Sequence, residues 1–239
     1  MPNPPIEAVL FDLDGTLADT APDLVGALER LRVTLRMPAI ETGGLRALAG
    51  RGAVAILEAG LPELDEAGRE ALRPRFLDDY KARCWEASRP FDGMPECLAQ
   101  IEAMGMRWGI VTNKLEHLAA EVAARAGWNG RAGCLVAGDT AARPKPAPAP
   151  VLAACERLGA APARTLFVGD DERDVIAGHA AGTLTAAALW GYIPGRAEVA
   201  GWGAHFDFES PRVLAEFLDG QNRSVPDFDA GDAGDRATA

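Results

Sequence analysis

The segment Asp12-Leu13-Asp14-Gly15-Thr16 places two carboxylates two residues apart, directly after the apolar run Ala8-Val9-Leu10-Phe11. Where a predicted strand gives way to a glycine turn, such a pair suits phosphoryl transfer. One carboxylate attacks phosphorus, and the second handles the proton of the leaving oxygen. Asp12 is the expected nucleophile; Asp14 is the expected general acid, and then the general base for the attacking water. Gly15 lets the chain turn sharply beside them. A calcium loop does not fit: Thr16, Leu17 and Asp23 stand where an EF-hand takes Asp or Asn, Gly and a bidentate Glu.

Three further segments follow predicted strands: Val111-Thr112-Asn113-Lys114, Lys145-Pro146-Ala147-Pro148 and Gly169-Asp170-Asp171-Glu172-Arg173-Asp174. Singly, they read as a helix cap, a solvated lysine and a turn. Together and in this order they read as one site. A transferring phosphoryl group spreads charge over three oxygens. The Thr112 hydroxyl, the Asn113 backbone and the Lys145 ammonium are suited to bind them. Asp12, Asp14, Asp170, Asp171 and Asp174 cannot gather without a cation. An oxygen-only donor set with no nearby His or Cys favours Mg²⁺. Asp174 shares a face with Asp170 if a helix begins there.

The elements that must position these residues follow from periodicity. Short apolar runs at 6–11, 107–112, 133–137, 165–168, 184–189 and 204–208 alternate with amphipathic stretches at 95–104, 115–126 and 151–158. This rhythm predicts an α/β fold, a Rossmann-like doubly wound parallel sheet with helices on both faces. Ligands of such sheets bind at the carboxyl ends of the strands. Residues 20–89 break the rhythm, with no strand pattern. Leu24, Leu28, Leu31 and Leu35 form one helical stripe, 45–60 a second helical stretch, and 65–88 a third with Phe76, Leu77 and Tyr80 on its apolar face. The expected organisation is a core of residues 1–19 and 90–220, a helical cap at 20–89, and a disordered acidic tail at 221–239.

With 239 residues and 48% hydrophobic content, the chain can bury a substantial core. Its net charge of −11 argues against nucleic acid or anionic lipid as a partner. No run reaches the roughly 18 apolar residues of a membrane span, and Cys84, Cys97, Cys134 and Cys155 show no paired spacing. A cytoplasmic monomer or homodimer acting on a small phosphorylated metabolite is expected. His117, His179 and His205 are isolated and read as structural or solvated.

The four segments resemble the four motifs of the haloacid dehalogenase superfamily of phosphohydrolases, over about residues 6–218. The resemblance implies an aspartyl-phosphate on Asp12, and Mg²⁺ held by the side chains of Asp12 and Asp170 and the main-chain carbonyl of Asp14, with Asp174 nearby. Dehalogenases of the superfamily lack the second Asp, and P-type ATPases have Thr there; Asp14 leaves phosphatase or phosphomutase. One departure is Asp171, where many relatives have Ser. An insert between the first two motifs is where the superfamily places its C1-type cap, which would exclude water on closing. Within it, Arg51 of the Gly50-Arg51-Gly52 loop is placed to pair with a substrate carboxylate. Gly50, Gly52 and Ala55 also match a dinucleotide fingerprint, but no strand precedes them. Cap type, Leu17-Ala18-Asp19-Thr20 and the second motif look like phosphoglycolate phosphatases. The Val168–Asp174 and Trp190–Ile193 segments look similar to the branch holding N-acetylmuramic acid 6-phosphate phosphatase. The implied reaction is hydrolysis of 2-phosphoglycolate, with the amino-sugar acid phosphate, a phosphomutase or a broad sugar-phosphate phosphatase as alternatives.

Overall fold

A computed structural model describes residues 5–223. In chain order the elements are β1 (Ala8–Phe11), β2 (Ala18–Asp19), α1 (Ala21–Thr34), a 3-10 turn (Arg46–Arg51), α2 (Gly52–Gly60), α3 (Glu66–Arg83) and β3 (Arg89–Pro90). There follow α4 (Met94–Ala103), β4 (Arg107–Val111), α5 (Glu116–Arg125), β5 (Leu135–Val136), α6 (Ala149–Leu158), β6 (Thr165–Gly169), α7 (Glu172–Ala181) and β7 (Leu184–Ala188). The last are α8 (Arg196–Val199), β8 (Phe206–Phe208) and α9 (Pro211–Arg223).

Six strands form one parallel sheet in the order β5-β4-β1-β6-β7-β8. Each of the six predicted apolar runs falls on one of them, with β6 extending one residue further, to Gly169. Strand β1 is buried on both sides, which explains why it reads as a continuous apolar run. Val9 and Phe11 face one core with α4, α5 and α9; Ala8 and Leu10 face the other with α6 and α7. The chain leaves β1 toward β4 and later returns on its other side as β6. That reversal makes the carboxyl end of β1 the switch point, where such sheets open a crevice. Phe11 is level with Ile110 and with Val168, so three chains leave the sheet together there.

Between β1 and β4 lie the helices α1, α2 and α3, packed on one another. The Leu stripe of α1 explains the packing: Leu24, Leu28 and Leu31 are buried. A Cβ on Gly60 would collide with Leu28, so α1 and α2 approach closely only because Gly60 has none. The stretch 45–60, predicted as one helical run, is divided at Gly52, whose φ of 83° interrupts the helix. At the ends of this segment β2 and β3 pair as an antiparallel ribbon, too short to be visible as a pattern. Asp23 reinforces that junction: it accepts from the Ala87 amide (2.9 Å), the Ser88 amide (2.8 Å) and the Ser88 hydroxyl (2.5 Å). Helix α9 runs to Arg223, so 221–223, expected in the tail, are helical; the rest of that stretch lies outside the described residues.

Leu28→Ala is expected to lower the unfolding free energy by about 2–5 kcal/mol, read as a shifted midpoint in urea denaturation. An unchanged midpoint would contradict this packing.

Candidate active site

Asp12 follows β1 directly, and its amide donates to the Val168 carbonyl of β6 (2.9 Å). The residue is 8% exposed. Oδ1 accepts from the Leu13 amide (2.7 Å) and pairs with Lys145 Nζ (2.8 Å). No described contact falls on Oδ2. Asp14 accepts from the Thr20 hydroxyl (2.5 Å) and from Lys114 Nζ through both oxygens (2.9 and 3.0 Å). Gly15 between these groups has φ 86°, and a Cβ there would run into Asp170 and Tyr192. Thus Gly15 is needed both for the turn and for the close approach of β6's loop.

Lys145 is 4% exposed and touches three partners: Asp12, Asp174 Oδ1 (2.7 Å) and the Val111 carbonyl (2.8 Å). Burial alone would lower its pKa, but Asp12 and Asp174 outweigh that and the net shift is upward. Its backbone is fixed by Asn113, whose side chain accepts from the Lys145 amide and donates to the Lys145 carbonyl, each at 2.9 Å. The sequence reading gave Asn113 only a backbone role; the side chain holds the lysine loop. Thr112 is buried, and its hydroxyl accepts from the Lys114 amide (3.2 Å).

Asp170 accepts from the Thr16 hydroxyl and from the Tyr192 amide, both at 2.8 Å. Burial, with Asp12 and Asp174 alongside, pushes its carboxyl well above the usual range. Asp171 resolves the departure noted above. It is the N-cap of α7 and accepts from the Arg173 amide (2.9 Å), while Asp174 accepts from the Asp171 amide (3.2 Å). Asp and Ser both serve as N-caps. The added charge is paired with the Arg173 guanidinium (2.7 and 2.8 Å), which also donates to the Gly50 carbonyl (2.9 Å). Arg173 thereby joins α7 to the 3-10 turn of the helical segment.

Oxygens of Asp12, Asp170 and Asp174 lie within 4.8 Å of one another. The side chain of Asp14 stands apart from this group, held by Lys114 and Thr20. The cluster fits a divalent cation on two observations. Asp174 Oδ1 is buried and is met among the described residues by Lys145 alone, an ammonium it shares with Asp12. Four buried carboxylates (Asp12, Asp14, Asp170, Asp174) face two largely buried ammonium groups (Lys145, Lys114), which leaves two negative charges over.

A cavity of about 140 Å³ opens above these groups, lined by Asp12, Asp14, Thr112, Asn113, Lys114 and Lys145 from the sheet side. Gly50, Arg51, Gly52, Leu77 and Tyr80 of the helical segment line the same cavity. Arg51 is exposed there and makes no ion pair among the described residues. The sequence reading missed Lys114 and Tyr80 as site residues. Lys114 stood inside the second motif without a task, and Tyr80 read only as an apolar face. The four cysteines are free and buried. His179 and His205 lie with ring centroids 4.8 Å apart and planes tilted by 38°, and hydrogen-bond around Thr185; neither lines the cavity. Among the described residues, no helix is long and apolar enough to cross a membrane.

The model of the haloacid dehalogenase-like hydrolases matches residues 6–182, a span that includes every carboxylate of the site. This chain belongs to that family. Within the family, it is 44% identical over 215 residues to the N-acetylmuramic acid 6-phosphate phosphatase of Pseudomonas aeruginosa, covering 90% of this chain and 95% of the relative. It is 43% identical over 209 residues to the phosphoglycolate phosphatase of Xanthomonas campestris, covering 87% and 95%. The crystal structure of a predicted phosphoglycolate phosphatase from Haemophilus somnus shares the fold, with a TM-score of 0.78 at 24% identity, over 89% of this chain and 97% of that one.

Asn113→Ala removes both contacts that fix the Lys145 backbone. It is expected to lower stability by about 1–3 kcal/mol and kcat on p-nitrophenyl phosphate by about 10²-fold, the effect of a misplaced reacting group. Thermal unfolding and steady-state kinetics check the two effects; an unchanged kcat would contradict the role given to Asn113.

Proposed function

We propose that this protein is a Mg²⁺-dependent phosphomonoester hydrolase that works through an aspartyl-phosphate on Asp12, with 2-phosphoglycolate as its preferred substrate. One observation carries the reading. Asp12 is pinned through Oδ1 by Lys145 and the Leu13 amide at the floor of a cavity, which leaves Oδ2 without a described partner and available to attack.

In the first step Asp12 forms a bond to phosphorus as the ester P–O bond breaks, and Asp14 gives a proton to the departing alkoxide. Lys114 contacts both oxygens of Asp14, so one contact yields when Asp14 carries that proton. In the second step Asp14 takes a proton from water, whose oxygen attacks phosphorus and releases Asp12 and inorganic phosphate. Thr112 and Lys145, which line the cavity, would stabilise the phosphoryl oxygens. Asp12, Asp170 and the Asp14 main chain would hold Mg²⁺, with Asp174 alongside; the ion supplies charge neutralisation for the phosphoryl group. The oxygen-only donor set supports a hard divalent cation such as Mg²⁺.

The helical segment at 20–89 acts in this reading as a cap. Support comes from its side chains on the cavity wall and from the Arg173 contact to Gly50. Cavity size supports the small substrate: about 140 Å³ falls below the ~300 Å³ at which drug-sized ligands fit. Arg51 on the cavity wall suits the second anionic group of such a molecule. The 44% identity to a phosphatase of N-acetylmuramic acid 6-phosphate favours a second reading, in which the cap opens wider to take the sugar.

EDTA is expected to abolish hydrolysis of p-nitrophenyl phosphate, and added Mg²⁺ to restore it. Asp12→Asn is expected to lower kcat by about 10⁴-fold or more; wild-type turnover in this variant would overturn the nucleophile assignment. In side-by-side kinetics, kcat/KM for 2-phosphoglycolate should exceed that for N-acetylmuramic acid 6-phosphate at least tenfold. The reverse order would favour the second reading.

A further inference from the structure

Tyr80 sits on α3 with 0% exposure and lines the cavity. Its hydroxyl is buried, and among the described residues no acceptor takes its proton. Buried hydroxyls are ordinarily paired, and an orphan is destabilising. A phenylalanine would fill the same space without that penalty. The ring has its own role: Lys114 Nζ lies 4.7 Å from the ring centroid, a cation–π contact. The ammonium also lies beside the phenol oxygen but can only donate to it, so the hydroxyl proton points to an acceptor that the described residues do not supply.

The surroundings identify the partner. Lys114 is bound to Asp14, the group proposed to protonate the leaving oxygen, so the hydroxyl stands on the leaving-group side of the site. Burial raises the phenol pKa, which keeps it a proton donor. Arg51, without an ion pair among the described residues, supplies positive charge on the same wall. A donor hydroxyl beside cations fits an anionic acceptor oxygen close to the ester oxygen.

We propose that the Tyr80 hydroxyl is a specificity-determining group, donating to a carboxylate on the carbon that bears the ester oxygen. The substrate class is then phosphate monoesters of 2-hydroxy acids. This rests on the phosphatase reading above and deepens it, because in N-acetylmuramic acid 6-phosphate the carboxylate is remote from the ester carbon.

The test compares 2-phosphoglycolate with ethyl phosphate, which lacks the carboxylate, in wild-type protein and in Tyr80→Phe. Wild type should prefer 2-phosphoglycolate at least tenfold in kcat/KM, and Tyr80→Phe should cut that preference about tenfold. Its melting temperature should not fall, because the ring and its Lys114 contact remain. A wild-type preference near unity overturns the inference, whether or not the variant folds. So does a variant that loses activity equally on both esters or keeps the wild-type ratio. Absence of turnover of both these esters and p-nitrophenyl phosphate by wild type would overturn the phosphatase reading and the subsite with it.

Discussion

Lys145 is buried against Asp12, Asp174 and the Val111 carbonyl, and the rest of the site depends on that contact. Carboxylates cannot be taken out of water together unless opposite charge goes with them. The lysine draws the ends of β1 and β4 and the start of α7 onto one ammonium. A second pair, Lys114 with Asp14, repeats the solution a few ångströms along the cavity. Together they neutralise half of the buried acid. A divalent cation would match the remainder, so the unevenness of this charge balance fits the acid cluster to a metal.

The sheet makes that gathering possible. Asp12, Thr112 and Asp170 each follow the last residue of a parallel strand, and the register of β1 with its neighbours brings those exits level. Asn113 then clamps the loop that carries Lys145, and the α7 N-terminus presents Asp171 and Asp174. Two contacts carry the arrangement across to the helical segment. Arg173 bridges Asp171 and the Gly50 carbonyl. Tyr192 reaches Asp170 through its amide, and through its hydroxyl contacts Asp19 and Ala21 at 2.8 and 2.9 Å, beside the β2–β3 ribbon. The same residues that order the acid cluster thus also touch the segment proposed to close over it.

Much of this was legible in the sequence because it rests on local pattern. The strands are buried on both faces and read as apolar runs, and their ends carry Asp12, Thr112 and Asp170. Contacts between distant residues were not legible. Lys114 meets Asp14 across 100 positions, and Asn113 meets Lys145 across 32; nothing local marks either pairing. Tyr80 satisfied the apolar periodicity of its helix, which concealed the one polar atom that matters. Asp171 was visible but unexplained, because its task as a cap exists only once α7 begins at Glu172.

The central claim is that Asp12 carries the phosphoryl group during turnover. Its most direct test is acid quenching of the enzyme in mid-reaction, followed by peptide mapping by mass spectrometry. A phosphoryl group on the peptide that contains Asp12 is the predicted result. Turnover with no phosphorylated peptide, or with the group on another residue, would contradict it.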